Sequence, residues 1–167
     1  MQIRSEQPTD LAGIRAVNEA AFGTATEADL VDRLRVEASP IISLVAEERG
    51  SIVGHILFSP VTLSSDPDLP LMALAPMAVL PAWQRRGVGS GLVRAGLEAC
   101  RQLPARAVVV VGHAGYYPRF GFVPASGYGI TSEFDVPADA FMVLELQPGA
   151  LATRRGTIRY HPAFSSI

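Results

Sequence analysis

A glycine-rich turn at residues 84–91 is the stretch of this chain whose residue types most directly indicate chemistry. Its sequence, Gln-Arg-Arg-Gly-Val-Gly-Ser-Gly, follows an apolar segment and precedes a segment with helical apolar spacing. The first amides of a helix have no partner within the helix, and the helix dipole favours an anion there. Glycine lets the backbone approach a phosphate closely because no Cβ intervenes. The turn therefore predicts a binding site for a phosphorylated ligand.

Two common phosphate-binding turns do not fit the residues around this one. A Walker A loop requires a lysine, and all 14 basic residues of the chain are arginine. A dinucleotide-binding turn requires a third glycine, but Leu92 occupies that position. The next strand ends at residues 110–112 without an acidic residue for a ribose. A different class of phosphate-binding turn is therefore indicated.

The composition narrows the class of protein. At 167 residues, with 49% hydrophobic and 18% charged residues, the chain predicts one compact domain. The net charge of -2 gives no general attraction to nucleic acid or to an anionic membrane. No apolar run reaches the ~18 residues of a membrane span, and no signal-peptide core is present, so we expect a cytoplasmic protein. Cys100 is the only cysteine, which excludes an intramolecular disulfide and a cysteine-cluster metal site, and we expect no metal.

Apolar periodicity predicts a mixed α/β sheet flanked by helices. Three segments have the apolar spacing of a helix. Pro8-Thr-Asp10 opens the first, Thr26 is expected to cap the second, and the third runs from the glycine turn to about Gln102. We expect a single domain over residues 1–167, with a turn at residues 66–70 and an irregular C-terminal extension at residues 147–167. The expected strands are residues 2–4, 42–47, 51–63, 71–79, 106–111, 121–124 and 141–146.

Pro76 interrupts the strand expected at residues 71–79. Proline removes a donor from the strand ladder, so we expect a bulge or an unpaired strand side at this position. An unpaired strand edge accepts an extended ligand as if it were another strand. The strand before the glycine turn is therefore a second candidate for ligand binding.

Two motifs resemble those of the GCN-related N-acetyltransferase (GNAT) superfamily. Residues 84–89 are similar to its Gln/Arg-x-x-Gly-x-Gly/Ala turn, and residues 117–122 are similar to its Tyr-x-x-x-Gly-Phe segment. Residues 11–18, 27–31 and 141–164 resemble the YhbS-like bacterial branch, so the resemblance covers nearly the whole chain. It implies a mixed, mostly antiparallel central sheet with helices on both faces. It also implies an N-acetyltransferase whose donor is acetyl-coenzyme A (acetyl-CoA).

The resemblance also implies roles for particular residues. In the family, the turn wraps the pyrophosphate of acetyl-CoA and the preceding strand runs beside its pantetheine arm. Tyr117 matches a tyrosine that often lies near the sulfur and is the expected catalytic residue, with Tyr116 as the alternative. The ordinary pKa is ~10 for tyrosine and ~8.5 for a thiol, so proton transfer from tyrosine to a thiolate is uphill by about 2 kcal/mol. Tyr117 is therefore expected to act mainly as a hydrogen-bond donor. The expected cofactor-binding residues are Met77, Ala78, Val79, Gln84, Arg85, Arg86, Gly87, Val88, Gly89 and Ser90.

The general base and the acceptor stay open. An alkylammonium group, with an ordinary pKa of ~10.4, must lose a proton before its nitrogen can attack the thioester. The strand at residues 71–79 contains no acidic residue that could accept this proton. His113, Glu19, Glu27 and a water chain are the candidates. The acceptor is expected to be a primary amine, either a small molecule such as an amino acid or antibiotic, or the amino terminus of a protein or peptide. We expect a monomer or homodimer without a nucleic-acid or membrane partner.

The missing acid also keeps an alternative function open. The chain can be a non-catalytic module that binds or senses acyl-CoA while keeping the same fold. A thiol-release assay with a panel of amines separates this alternative from an enzyme.

Overall fold

The computed structural model describes residues 1–166 and has the α/β architecture that the sequence predicts. Among these residues, none of the helices has the length and hydropathy needed to cross a membrane. The helices are α1 (Leu11–Phe22), α2 (Thr26–Glu37) and α3 (Val88–Arg101). The strands are β1 (Gln2–Ser5), β2 (Ile42–Glu48), β3 (Ser51–Leu63), β4 (Asp66–Val79), β5 (Ala107–Val111), β6 (Val123–Pro124), β7 (Ile130–Ser132), β8 (Phe141–Glu145) and β9 (Gly156–Arg159). Short 3₁₀ helices lie at Pro8–Asp10, Pro81–Trp83, Tyr117–Phe120, Ala125–Tyr128 and Pro162–Ser166.

One mixed sheet joins the strands of the described residues. Its main order is β1-β2-β3-β4-β5-β8-β6, and β9 pairs with both β3 and β7. The β4–β5 and β7–β9 pairs are parallel, while the other pairs are antiparallel. The mostly antiparallel sheet implied by the resemblance is therefore confirmed, and the strand before the glycine turn is the fourth along the chain.

The helices cover opposite faces of the sheet. The apolar side of α3 packs with residues such as Phe58 and Val108 on one face, and α1 and α2 pack with Val45 and Leu57 on the other. In β5, Val108 belongs to the cluster under α3, whereas Val109 belongs to a cluster on the opposite side. This alternation explains why the continuous β-branched run of β5 is buried on both faces.

The turn expected at residues 66–70 is wrong, because the chain reverses earlier. Ser64 and Ser65 form the turn, and Asp66 already pairs with Leu63 as the first residue of β4. The prolines of this segment are tolerated because β5 joins β4 only from Leu71 onward, so no ladder hydrogen bond to β5 is lost.

The segment after β8 contains regular structure that the sequence analysis missed. Of the extension expected to be irregular at residues 147–167, the structure describes residues 147–166, and these include β9. Strand β7, which precedes β8 along the chain, is the parallel partner of β9. Both strands have three or four residues and form through pairing with distant parts of the chain. Such short, non-local strands carry little period-2 signal in the sequence.

Helix α2 begins at Thr26, so the expectation that Thr26 caps it is wrong by one residue. Ala25 occupies the cap position, and the hydroxyl of Thr24 accepts a hydrogen bond from the Thr26 amide at 3.4 Å. Glu27 consequently lies in the first turn of α2, with its side chain half-buried.

A chain of polar groups lies buried between the sheet and the first helices. Arg35 Nε donates to Glu6 at 2.7 Å, and the Ser43 hydroxyl donates to the same carboxylate. Since that hydroxyl proton is used, Ser43 Oγ accepts from His55 Nε2 at 2.9 Å, and His55 Nδ1 accepts from Asn18 at 3.2 Å. Burial lowers the pKa of His55 to about 4, so the ring is neutral near pH 7.

Candidate active site

Strands β4 and β5 separate at the centre of the sheet and leave an open strand edge. Residues 71–74 pair with residues 107–110, and the pairing stops there. Within the described residues, 77–79 of β4 pair with β3 alone, and the β3–β4 register shifts at residues 75 and 76, where Pro76 lies. The bulge and the unpaired side predicted from Pro76 are thus both present. The backbone edge of residues 75–79 that faces β5 is available to a ligand.

The glycine turn presents backbone amides at the start of α3. Gly87 has a φ of 83°, a left-handed conformation that glycine adopts without a steric penalty. Within residues 1–166, none of the amides from Arg86 to Ser90 donates a hydrogen bond, and the first bond of this turn runs from the Gly91 amide to the Gly87 carbonyl at 3.0 Å. The turn therefore has the donor-rich geometry expected of an anion site.

A cavity of about 740 Å³, which we call the turn cavity, lies between the glycine turn and the open edge of β4. Its remaining walls come from the end of α1 and from the segment after β5. Seven of the expected cofactor-binding residues line it: Met77, Val79, Gln84, Arg85, Gly87, Gly89 and Ser90.

Three expected cofactor-binding residues direct their side chains elsewhere. Ala78 and Val88 are buried in the core at 2% exposure each. The guanidinium of Arg86 lies over the ring of Trp83, 5.2 Å from its centroid. Arg86 and Val88 nevertheless contribute their backbone amides to the turn.

The turn cavity also contains residues that the sequence analysis did not assign. Phe22, at the end of α1, is 43% exposed despite its helical apolar spacing, and it borders the cavity. Arg119 lines the cavity with its guanidinium 4.5 Å from the Tyr116 ring centroid, and it donates to the Tyr116 carbonyl at 2.9 Å. Arg119 lies inside the Tyr-Pro-Arg-Phe-Gly segment, which is the signal that identifies it.

Tyr116 connects the glycine turn to the segment after β5. Its hydroxyl lies 3.1 Å from Ser90 Oγ. A Cβ at Gly89 would lie 3.3 Å from the same hydroxyl, so glycine at this position permits the close approach. Tyr116 therefore faces the turn cavity, and its ring packs edge-to-face against that of Tyr117, with 5.1 Å between the centroids.

A second cavity, which we call the splay cavity, occupies the gap between the diverging strands β4 and β5. It measures about 640 Å³, and its walls come from both strands, the start of α2 and the C-terminal segment. Phe22, Met77 and His113 border both cavities. The two cavities therefore adjoin beside the open edge of β4.

Tyr117 lies in the wall of the splay cavity. Its side chain is 8% exposed, and within residues 1–166 its hydroxyl makes no hydrogen bond. Burial, together with the neighbouring Tyr116, raises the pKa of Tyr117 to about 12. A Cβ at Gly112 would lie 2.2 Å from the Tyr117 ring, so the ring fits only against glycine. The hydroxyl is thus protonated and available to a ligand.

The structure separates the candidates for a general base. Glu19 pairs with Arg15 at 2.8 Å and lines neither cavity. Glu27 lines the splay cavity, and His113 is exposed where the two cavities adjoin. Of the side-chain candidates, only Glu27 and His113 can therefore reach a ligand in this site.

Cys100 lies outside the site, on the inner side of α3. It is fully buried, and burial raises the pKa of its thiol to about 12. Cys100 is therefore a small residue of the core. In the part of the chain that the structure describes, no group of three or more His, Cys, Asp or Glu residues could hold a metal ion.

Comparison with known proteins identifies the family. The model of the acetyltransferase (GNAT) family matches residues 11–122, which include the glycine turn and Tyr117. N-acetyltransferase YjhQ of Escherichia coli K12 is 44% identical over 135 residues, covering 78% of this chain and 75% of YjhQ. The crystal structure of Escherichia coli YhbS in complex with CoA has a TM-score of 0.92 at 33% identity, covering 98% of this chain and 91% of that chain. A Brucella melitensis GNAT family acetyltransferase in complex with acetyl-CoA has a TM-score of 0.80 at 39% identity, covering 98% and 97%. The chain therefore belongs to the GNAT family of acetyltransferases.

Proposed function

We propose that this GNAT acetyltransferase, whose donor is acetyl-CoA, transfers the acetyl group directly to a primary amine held in the splay cavity. The observation that carries the proposal is that the turn cavity and the splay cavity adjoin at Met77 and His113, beside the open edge of β4. A donor in one cavity and an acceptor in the other can react where the cavities meet. Direct attack within such a ternary complex gains from orientation and needs no covalent enzyme intermediate.

Three features of the turn cavity support donor binding. The amides of residues 86–90, which have no acceptor within residues 1–166, suit the pyrophosphate. The open edge of β4 at residues 77–79 suits the amide groups of the pantetheine arm, which can pair with it as an added strand. Arg85 and Arg119 line the same cavity and add positive charge for the phosphates.

The reaction begins with loss of a proton from the acceptor ammonium, whose ordinary pKa is ~10.4. His113, Glu27 or a water molecule between them takes this proton. The amine nitrogen then attacks the carbonyl carbon of the thioester, forming the carbon–nitrogen bond. The carbon–sulfur bond breaks and CoA leaves as a thiolate. The nitrogen then gives up its second proton to the general base or to water, which leaves the neutral amide, and the thiolate takes up a proton.

Tyr117 is proposed to stabilise the departing sulfur as a hydrogen-bond donor. Its pKa of about 12 lies well above that of a thiol at ~8.5. Complete proton transfer from Tyr117 to the thiolate would be uphill by about 5 kcal/mol for a thiol of ordinary pKa. The hydroxyl therefore donates a hydrogen bond while the proton that neutralises the thiolate comes from the general base or from water.

Two measurements on the intact protein test the proposal. Isothermal titration calorimetry should detect acetyl-CoA binding, and a thiol-release assay with a panel of primary amines should detect turnover, with the acetylated amine identified by mass spectrometry. Binding without amine-dependent thiol release indicates a non-catalytic acyl-CoA-binding module and overturns the proposed reaction. Absence of binding overturns the assignment of the turn cavity as well.

A further inference from the structure

The far wall of the splay cavity is aromatic. The ring centroids of Phe134 and Tyr160 are 5.2 Å apart, and those of Tyr160 and Phe164 are also 5.2 Å apart. Phe134 and Tyr160 are only half-buried, so their rings present apolar surface to the cavity. This row of three rings, which we call the aromatic wall, comes from the segment after β7 and from the C-terminal tail. Apolar and aromatic surface of this kind favours an apolar ligand of similar size.

Charged groups are scarce in the splay cavity. Among the described residues, 1–166, Glu27 is the only carboxylate that lines it, and no arginine does. His113 and the hydroxyls of Tyr117 and Tyr160 are the other titratable groups of the lining, and the remaining side chains are apolar. A ligand in this cavity therefore meets few charged side chains, and the carboxylate among them is that of Glu27.

The carboxylate of Glu27 differs from the other carboxylates of α2. Asp29 pairs with Arg15 at 2.8 Å, Asp32 also pairs with Arg15, and Glu37 pairs with Arg33 at 2.9 Å. Within residues 1–166, Glu27 forms no ion pair, and its hydrogen bond from the Thr24 hydroxyl is long, at 3.5 Å. A half-buried carboxylate that has no cationic partner within the described residues, and that lines the same cavity as the aromatic wall, is suited to an ammonium group.

We infer that the acceptor is an aromatic monoamine without a carboxylate, of the size of 2-phenylethylamine. This inference rests on the proposed function and names its substrate class. Glu27 binds the ammonium group before deprotonation, and the aromatic wall binds the ring. An amino acid brings a carboxylate that finds no arginine in the cavity, and a polyamine brings several cations for one carboxylate. Both are therefore disfavoured by the unpaired charge that they would bury.

A steady-state comparison of matched amines tests the substrate class. 2-Phenylethylamine differs from L-phenylalanine only by the carboxylate, while ethanolamine and spermidine lack the ring. We expect kcat/KM for 2-phenylethylamine to exceed each of the other three by at least tenfold. A higher kcat/KM for L-phenylalanine, ethanolamine or spermidine overturns the inferred class and leaves the proposed acetyl transfer standing.

Variants of the cavity test the two contacts separately. Glu27→Gln and Phe134→Ala should each raise KM for 2-phenylethylamine at least tenfold, while the calorimetric Kd for acetyl-CoA stays within twofold. Asp29→Asn, on the same helix but outside the cavity, is the matched control and should leave KM within twofold. Phe134→Leu should recover part of the loss, because it restores apolar surface. An unchanged KM in Glu27→Gln or Phe134→Ala contradicts the inferred contact.

Calorimetry separates failure of the substrate class from failure of the proposed function. If acetyl-CoA binds and 2-phenylethylamine gives no thiol release, the substrate class is overturned. If acetyl-CoA itself does not bind, the proposed function fails and the substrate class fails with it. Titration of 2-phenylethylamine into protein saturated with CoA adds a readout without turnover, and absence of binding there also counts against the class.

Discussion

Replacement of Gly87 by glutamate should weaken acetyl-CoA binding without a matching effect on the fold. A Cβ built at Gly87 meets no atom within 4 Å, so the side chain has space and the folded state bears only the left-handed backbone, φ +83°. For a residue with a Cβ, this backbone costs about 1–2 kcal/mol of stability. The new carboxylate lies beside the amides that we assign to the pyrophosphate.

The size of the binding loss follows from Coulomb's law. A carboxylate about 6 Å from one phosphate charge repels it by about 1.4 kcal/mol at an effective dielectric constant of ~40, a value between a protein surface and bulk water. This repulsion corresponds to a roughly tenfold increase in Kd, and a second phosphate charge increases it further. We therefore expect at least a tenfold loss of affinity at low salt and a smaller loss at high salt.

Gly50 offers a matched control for this substitution. It has a φ of +82° and also meets no atom within 4 Å, but it lies in the β2–β3 turn and lines neither cavity. Gly50→Glu should lower the thermal midpoint as much as Gly87→Glu while leaving the calorimetric Kd for acetyl-CoA unchanged. Gly87→Gln separates the charge of the new side chain from its bulk. A Kd for Gly87→Glu within twofold of the parent protein, or an equal loss in Gly50→Glu, would refute the assignment of the turn.

Three further predictions concern catalysis, pH and packing. Tyr117→Phe should lower kcat at least tenfold while the calorimetric Kd for acetyl-CoA stays within twofold, and an unchanged kcat removes the hydroxyl from the mechanism. The pKa of His55, about 4 when folded against 6.5 ordinarily, makes the unfolded state bind more protons between these values. The contribution of His55 to the free energy of unfolding is therefore complete above about pH 6.5, and it should fall by about 3 kcal/mol as the pH drops toward 4. When the free energy of unfolding is measured by urea denaturation across this pH range, His55→Gln should flatten its pH dependence. Gly96→Ala would bring a Cβ to 2.2 Å from the buried Phe58 ring and should cost about 1–3 kcal/mol in urea denaturation, whereas Gly127→Ala, with no atom within 4 Å, should cost far less.

The parts of the site that follow one another closely in sequence were predictable. The glycine turn, the interruption at Pro76 and the Tyr-Pro-Arg-Phe-Gly segment are local patterns, and each has its structural counterpart. Pro76 in particular predicts an open edge because a missing donor weakens strand pairing wherever the residue lies in the sheet.

The acceptor side of the site was not predictable in the same way. Phe134 and Tyr160 meet only because β7 and β9 pair, and these short strands give little periodic signal. Glu19 pairs with Arg15 four residues earlier on the same helix, which is a local contact, but Glu27 lines the splay cavity because the start of α2 lies against β4, β5 and the C-terminal segment. Contacts between distant segments determine which of two similar side chains faces a ligand, and a single sequence does not contain them.

A crystal structure of this protein with CoA bound tests the assignment of the site most directly. We predict that the pyrophosphate oxygens lie within hydrogen-bond distance of the amides of residues 86–90, and that the pantetheine arm pairs with the open edge of β4. The sulfur should lie where the two cavities adjoin, beside the Tyr117 hydroxyl. CoA bound outside the turn cavity, or with its sulfur directed away from the splay cavity, would contradict the proposed site.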